Sequence, residues 1–243
     1  MVSMADSGSR DNRQGRLGHG PEMTLVERTI EFIRSQLPEW RDDLDRLEEQ
    51  AEDRLNSQLC DYLDCWARLA FPMVRFTREE PQLGRRKVDL AAKPAKTAVI
   101  RGHMYTKYEP FLLIEGKRLP APSAEREREH VTGGPKTTGG IQRFKLGVYG
   151  SKHDTAVLVG YMQREDGEYW WSTINGWIAE LAISESADGC EWADSDRLQT
   201  LNVDRDARMA SCNSTHRRIG NAATPDIRLR HLWILMHRRK KGE

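Results

Sequence analysis

A chain of 243 residues with 38% hydrophobic and 31% charged content is sized for one domain with an ordinary core and a heavily charged surface. Its 38 basic and 37 acidic residues leave a formal net charge of +1, which excludes a uniformly basic coat and confines any nucleic-acid role to local clusters. No apolar run approaches the roughly 18 residues of a membrane span, and the start of the chain lacks a signal peptide's apolar core, so a cytoplasmic protein with no membrane partner is expected. The four cysteines (Cys60, Cys65, Cys190, Cys212) form no CxxC pair, and neither a zinc site nor a disulfide framework is expected.

Residues 1–22 carry almost nothing to bury and read as a disordered lead-in, leaving 23–243 as a single domain. The spacing of Leu25, Val26, Ile30, Ile33 and Leu37 predicts a helix ended by Pro38. From Trp40 to Leu69 apolar residues keep steps of three and four, predicting one long helix whose last third, apolar on more than one side, is buried. Strands are predicted at Met73–Phe76, Lys87–Ala91, Thr97–Ile100 and Glu109–Gly116, the last built on the run Phe111-Leu112-Leu113-Ile114. A polar loop over 119–140 leads to a helix at Ile141–Tyr149, a buried strand at Ala156–Met162 and a helix over 170–182. Closing strands follow at 198–203, 211–217 and 227–236. This order implies an α/β fold, a mixed central β-sheet flanked by helices, with a crossover at 141–149.

With 37 acids and ten lysines, about one or two acid-x-Lys triplets are expected by chance. The chain has a single one, Glu115-Gly116-Lys117, and its position is what informs. It closes the most apolar strand, where residues i and i+2 share a face, so Glu115 and Lys117 point the same way. Burying both charges costs several kcal/mol unless each finds a partner. Asp89, between Val88 and Leu90, projects from its own strand alongside Lys87 and Ala91. If the two strands are neighbours, Asp89 and Glu115 converge on an oxygen-lined site of the kind that suits Mg²⁺ or Mn²⁺.

These residues resemble the PD-(D/E)xK nuclease superfamily, the restriction-endonuclease-like fold, over roughly residues 40–162. The family pattern is a leading helix, a strand with an aspartate, a strand ending in (D/E)-x-K and a following helix with polar residues. The resemblance implies that Asp89 and Glu115 bind the metal, Mg²⁺ or Mn²⁺, and that Lys117 stands beside the attacking water. It makes Glu48, Glu49 and Glu52 candidates for the acid that some branches carry on the leading helix. Gln142 or Arg143 lies where related enzymes contact substrate. Arg118, Arg126 and Arg128, with Gln142 and Arg143, would steady backbone phosphates. Asp89 has no preceding proline, and the 26 residues from Asp89 to Glu115 require an extra strand or loop over 92–108. The expected activity is metal-dependent hydrolysis of phosphodiester bonds in DNA, by a homodimer or a subunit of a larger complex such as an anti-phage defence assembly. The competing expectation is a nuclease-fold subunit without turnover, serving nucleic-acid binding or assembly.

Other motifs read as structural. Gly133–Gly140 lacks the glycine and residue order of a phosphate-binding P-loop, although amides at the helix start that follows could still meet a phosphate. Trp170, Trp171 and Trp177 share helical spacing with Ile174, Ile178 and Leu181, the pattern of a core face. His103, His130 and His153 are scattered in loops. Glu79 and Glu80, shortly before Asp89, could enter the site from the neighbouring strand but read first as a solvated turn, and the tail His237-Arg238-Arg239-Lys240-Lys241, a candidate basic cluster, reads first as a frayed end.

Overall fold

The computed structural model describes residues 23–184, 187–219 and 222–237; the lead-in assigned to 1–22 and the basic tail from Arg238 lie outside them. The first helix, α1 (Leu25–Asp42), opens on a reciprocal cap. The Glu27 amide donates to the Thr24 hydroxyl at 3.3 Å, and the Thr24 amide donates to the Glu27 carboxylate at 2.9 Å. Pro38 does not end this helix as expected, but lies inside it. An interior proline costs about 3 kcal/mol. Burial of the Trp40 indole, roughly 200 Å² at about 25 cal/mol/Å², offsets that cost.

The long helix expected from Trp40 to Leu69 is also two pieces. Trp40 belongs to α1, residues 43–51 are irregular, and α2 spans Glu52–Ala70. Arg46 terminates α1 by turning its Nε back onto the Arg41 carbonyl at 3.2 Å and laying its guanidinium over Trp40. The apolar rhythm therefore persists through Leu44 and Leu47 without a buried face beneath them.

Seven strands form one mixed sheet: β1 (Val74–Pro81), β2 (Lys87–Pro94), β5 (Leu112–Leu119), β6 (Thr155–Met162), β9 (Asp226–Leu235), β8 (Met209–Arg217) and β7 (Asn202–Asp204), in that spatial order. β5, β6 and β9 run parallel; the neighbouring pairs on either side are antiparallel. The central β6 is buried at every position, as a parallel strand covered on both faces must be. The expected insertion between Asp89 and Glu115 includes a separate hairpin, β3 (Ala98–Ile100) with β4 (His103–Tyr105).

One face of the sheet packs Ile33, Leu37, Leu59 and Leu63 of α1 and α2 onto Leu90, Ile114 and Val159. The other packs α3 (Gly140–Lys145) and α4 (Gly167–Ile183) through Ile141, Phe144, Trp170 and Ile174 onto Leu113, Leu158 and Trp233. Trp170 and Trp177 are thus core, as their spacing predicts, and Trp171 is half-buried against it. No helix among the described residues is long and apolar enough to cross a membrane.

Candidate functional site

Asp89 sits where its strand lets go of both neighbours. Pairing of β2 with β5 runs through Ala92, Ala91 and Leu90 and stops there. On the other edge β1 pairs on either side of Asp89 but skips it. The residue across the gap, Glu79, has φ 49°, a left-handed conformation that a non-glycine residue rarely adopts inside a strand. The end of β5 is thereby opened, and its amides need other partners. Alternate amides of a strand face the same neighbour. Those of Gly116 and Arg118 are met by side chains: the Gly116 N–H donates to the Asp89 carboxylate at 2.9 Å, and the Arg118 N–H donates to the Glu52 carboxylate at 3.0 Å.

Gly116 explains how Glu52 reaches this place. A Cβ at Gly116 would overlap the Asn56 side-chain oxygen, which also accepts the Tyr161 hydroxyl at 2.7 Å. Only glycine lets α2 close onto β5 here, and Glu52 is one turn before Asn56. The result is an ion pair between Lys117 Nζ and Glu52 Oε1 at 2.8 Å, with Glu115 Oε1 at 3.3 Å from the same ammonium. Arg143, on α3, donates to that Glu115 oxygen at 2.9 Å. It also donates to the Tyr149 hydroxyl at 2.9 Å, and Tyr149 donates in turn to the Lys87 carbonyl at 2.5 Å.

Charge is unevenly met in this cluster. The Glu115 side chain is 1% exposed and that of Lys117 7%, yet Glu115 Oε2 is buried without a hydrogen-bond partner among the described residues. Burial, and then the neighbouring Glu115 charge, raises the Asp89 carboxyl well above its ordinary pKa. For Lys117, burial alone would lower the pKa, but Glu115, Glu52 and Asp89 together outweigh it and raise the group. Lys117 is therefore a firmly held ammonium.

The three expected members of the site, Asp89, Glu115 and Lys117, are brought together, and Arg143 joins them. Of the candidate helix acids only Glu52 takes part; Glu48 and Glu49 lie in the irregular 43–51 segment, because the helix begins three residues later than Glu49. Gln142 is not a substrate contact. It is fully buried, accepts the Gly133 and Gly139 amides at 2.9 and 3.2 Å, and donates to the Gly134 and Asp188 carbonyls at 2.8 Å each. The amides of Gly140, Ile141 and Gln142 are likewise spent on the Glu129, His130 and Val131 carbonyls, so the helix start offers nothing to a phosphate.

Arg126 and Arg128 are committed to Glu129 and Glu180, at 2.5 and 2.6 Å, while Arg118 is half-buried beside Glu52. Glu79 and Glu80 pair with Lys87 and Lys93 and do not enter the site. Sequence reasoning missed Tyr149 and the strained Glu79. The glycine inside Glu-Gly-Lys was the available sign that a helix crosses close above.

A cleft of about 740 Å³ lies elsewhere, bounded by Gln82, His103, Tyr105, Lys152 and His153. His153 is occupied there in a contact of Nε2 with the Pro110 carbonyl at 2.9 Å. That cleft gathers no comparable set of reactive groups. No family model, curated protein or solved structure matches the chain.

Among the described residues no three His, Cys, Asp or Glu side chains converge as a ready cage for a metal ion, since Lys117 stands between Glu52 and Glu115. Two carboxylates remain, Asp89 and Glu115, with an unpartnered buried oxygen on one and mutual repulsion between them. That donor set fits Mg²⁺ or Mn²⁺, ions that take one or two carboxylates and keep several waters.

Proposed function

We propose that this chain is a metal-dependent nuclease of the PD-(D/E)xK kind, with DNA as its substrate. The supporting observation is the meeting of Asp89, Glu115 and Lys117 at the opened end of β2 and β5, with Glu52 arriving from the leading helix. Asp89 and Glu115 would hold Mg²⁺ or Mn²⁺; when bound, such an ion supplies Lewis-acid stabilisation of the phosphate and acidifies water. Lys117, kept as an ammonium by three carboxylates, donates a hydrogen bond that orients the attacking water rather than removing its proton. Glu52 fixes Lys117 from behind and at the same time holds the β5 backbone through the Arg118 amide. Arg143 anchors one oxygen of Glu115, leaves the other free, and is close enough to that carboxylate to meet an incoming phosphate.

A second reading, a nuclease-fold subunit without turnover, draws on the way Lys117 and Arg143 already neutralise Glu115 Oε1. In that case the chain would work inside a homodimer or a larger cytoplasmic complex. Two measurements divide the readings. A catalyst binds Mg²⁺ in a calorimetric titration and is protected by it against thermal unfolding, and both signals vanish in Asp89→Asn. Glu115→Ala and Lys117→Ala each abolish Mg²⁺-dependent cleavage, a loss of about a thousandfold, while the far-UV circular dichroism is unchanged. Full activity in either variant would sink the mechanism.

A further inference from the structure

The apolar positions that should have been buried along one long helix form an exposed ridge. Leu44 and Leu47 are 80% and 72% exposed in the 43–51 segment, and Trp66 and Leu69 are 43% and 73% exposed on α2. These are one surface. Gln58 donates to the Leu47 carbonyl at 3.1 Å, and Gln58, Tyr62, Trp66 and Leu69 follow at steps of four, four and three, one stripe of the helix. The Tyr62 and Trp66 rings are 6.0 Å apart. Glu39 and Asp43 stand near enough to Tyr62 to help burial raise its phenol pKa, so the end of α1 borders the same stripe.

The border is acidic. Between Glu39 and Asp53 the two basic residues, Arg41 and Arg46, are buried, and the exposed charges are Glu39, Asp45, Glu48 and Asp53; further along α2 the exposed charges are Arg54, Asp61 and Arg68, of which Arg68 is paired with Asp64, so the border stays acidic on balance. Such a rim repels a phosphate backbone. It also opposes a second copy, because a two-fold axis would set the acidic border against itself. A straight apolar ridge beside a helix, edged with carboxylates, suits a helix with an apolar stripe and flanking lysines or arginines.

We infer that the α2 ridge from Leu44 to Leu69 is a docking surface for a basic amphipathic helix of a partner protein. The surface is independent of the nuclease reading, because its apolar residues, Leu44 and Leu47 before α2 and Tyr62, Trp66 and Leu69 along it, lie on a different stripe from Glu52 and Asn56, through which α2 meets the site.

The test uses the full chain and a fluorescein-labelled peptide of about 18 residues, leucine and lysine only, with leucines at helical i, i+3, i+4 and i+7 spacing. Two controls are a leucine–glutamate peptide of the same pattern and a permuted leucine–lysine peptide without a stripe. Fluorescence anisotropy should show saturable binding of the first peptide and at least about tenfold weaker binding of both controls. The double variant Leu47→Glu/Leu69→Glu, altered only at exposed positions, should lose at least about tenfold in affinity and keep its thermal midpoint. Absence of binding, equal binding of the permuted peptide, or undiminished binding to the double variant would each overturn the assignment. So would a concentration-dependent dimer in light scattering that Leu69→Glu dissolves, since it would give the ridge to a second copy.

Discussion

Two buried lysine–acid clusters occupy the same sheet, and they are built to opposite standards. Beyond β9, the Lys145 ammonium sits 2.7 and 2.9 Å from the two Asp196 oxygens, and Asp196 also accepts from the Ala193 amide at 2.8 Å. His216 Nδ1 lies 2.7 Å from Asp196, Ser214 Oγ 2.7 Å from His216 Nε2, and His231 Nε2 2.8 Å from Ser214. A carboxylate can only accept, so the direction of each bond follows: His216 donates to Asp196, Ser214 donates to His216, and His231 donates to Ser214. This order has the look of a hydrolytic triad, yet Ser214, His216 and His231 are wholly buried and no substrate reaches them. Both Asp196 oxygens are satisfied. At the β2–β5 opening, by contrast, one Glu115 oxygen takes two cations and the other takes none, while burial and the Glu115 charge both oppose ionisation of Asp89. Residue types alone do not separate a structural network from a reactive one. What separates them here is how completely the oxygens of the acid are met.

The sharpest way to break this contrast is to delete one charge from the sealed network. Burial would raise Asp196, but its bonds to His216 and Lys145 prevail and hold its pKa below the ordinary carboxylate range. Asp196→Ala strands the Lys145 ammonium in the core, and the expected loss is about 3–5 kcal/mol in urea unfolding. A loss below about 1 kcal/mol would mean that the network is not structural.

Acid titration probes the same region more gently. Burial, with a smaller push from Lys117, lowers the His130 pKa from 6.5 to about 3. His216 and His231 are also lowered, chiefly by burial. A folded state that binds fewer protons than the unfolded chain gains stability as pH rises. Stability is thus complete above about pH 6.5 and declines below it, by about 2 kcal/mol at pH 5 from His130 alone. Urea unfolding at the two pH values measures the slope, which His130→Phe should reduce. Because Asp89, raised by burial, pulls the other way, the deciding result is the difference between the two chains: a slope that His130→Phe leaves unchanged would show that His130 does not stay neutral.

How far this was legible in the sequence depends on which forces fix each part. The β5 strand, the buried β6 and the α4 tryptophans follow from periodicity, because burial on a strand or helix face sets the pattern directly. Asp89, Glu115 and Lys117 were visible through their places on strands. Glu52 could not be told from Glu48 and Glu49 without the helix start, which no capping side chain marks, since the N-cap residue is Ala51. Gln142 and Arg143 are adjacent on a six-residue helix whose direction the sequence does not give, and the structure turns one to the glycine loop and the other to Glu115. Pro38 looked like a terminus because its local cost is plain, whereas the burial of Trp40 that outweighs it is a tertiary effect. The sealed Asp196 network was not anticipated, since its members are far apart in sequence and meet only when β8 and β9 pair.

Asp89→Asn is the smallest and most discriminating perturbation. An asparagine oxygen can still accept the Gly116 amide, so the fold of the opening is preserved. What disappears is a buried negative charge that burial and Glu115 both oppose. Without divalent ions the variant should therefore be more stable than the native chain, by about 1 kcal/mol, and in Mg²⁺ the native chain should recover the difference while the variant does not. Differential scanning calorimetry with and without Mg²⁺ measures both terms. The opposite result, a variant destabilised under both conditions, would place Asp89 with Asp196 as a structural acid. If the native chain is the less stable of the two without Mg²⁺, the acid at this opened point of the sheet is kept for something other than the fold.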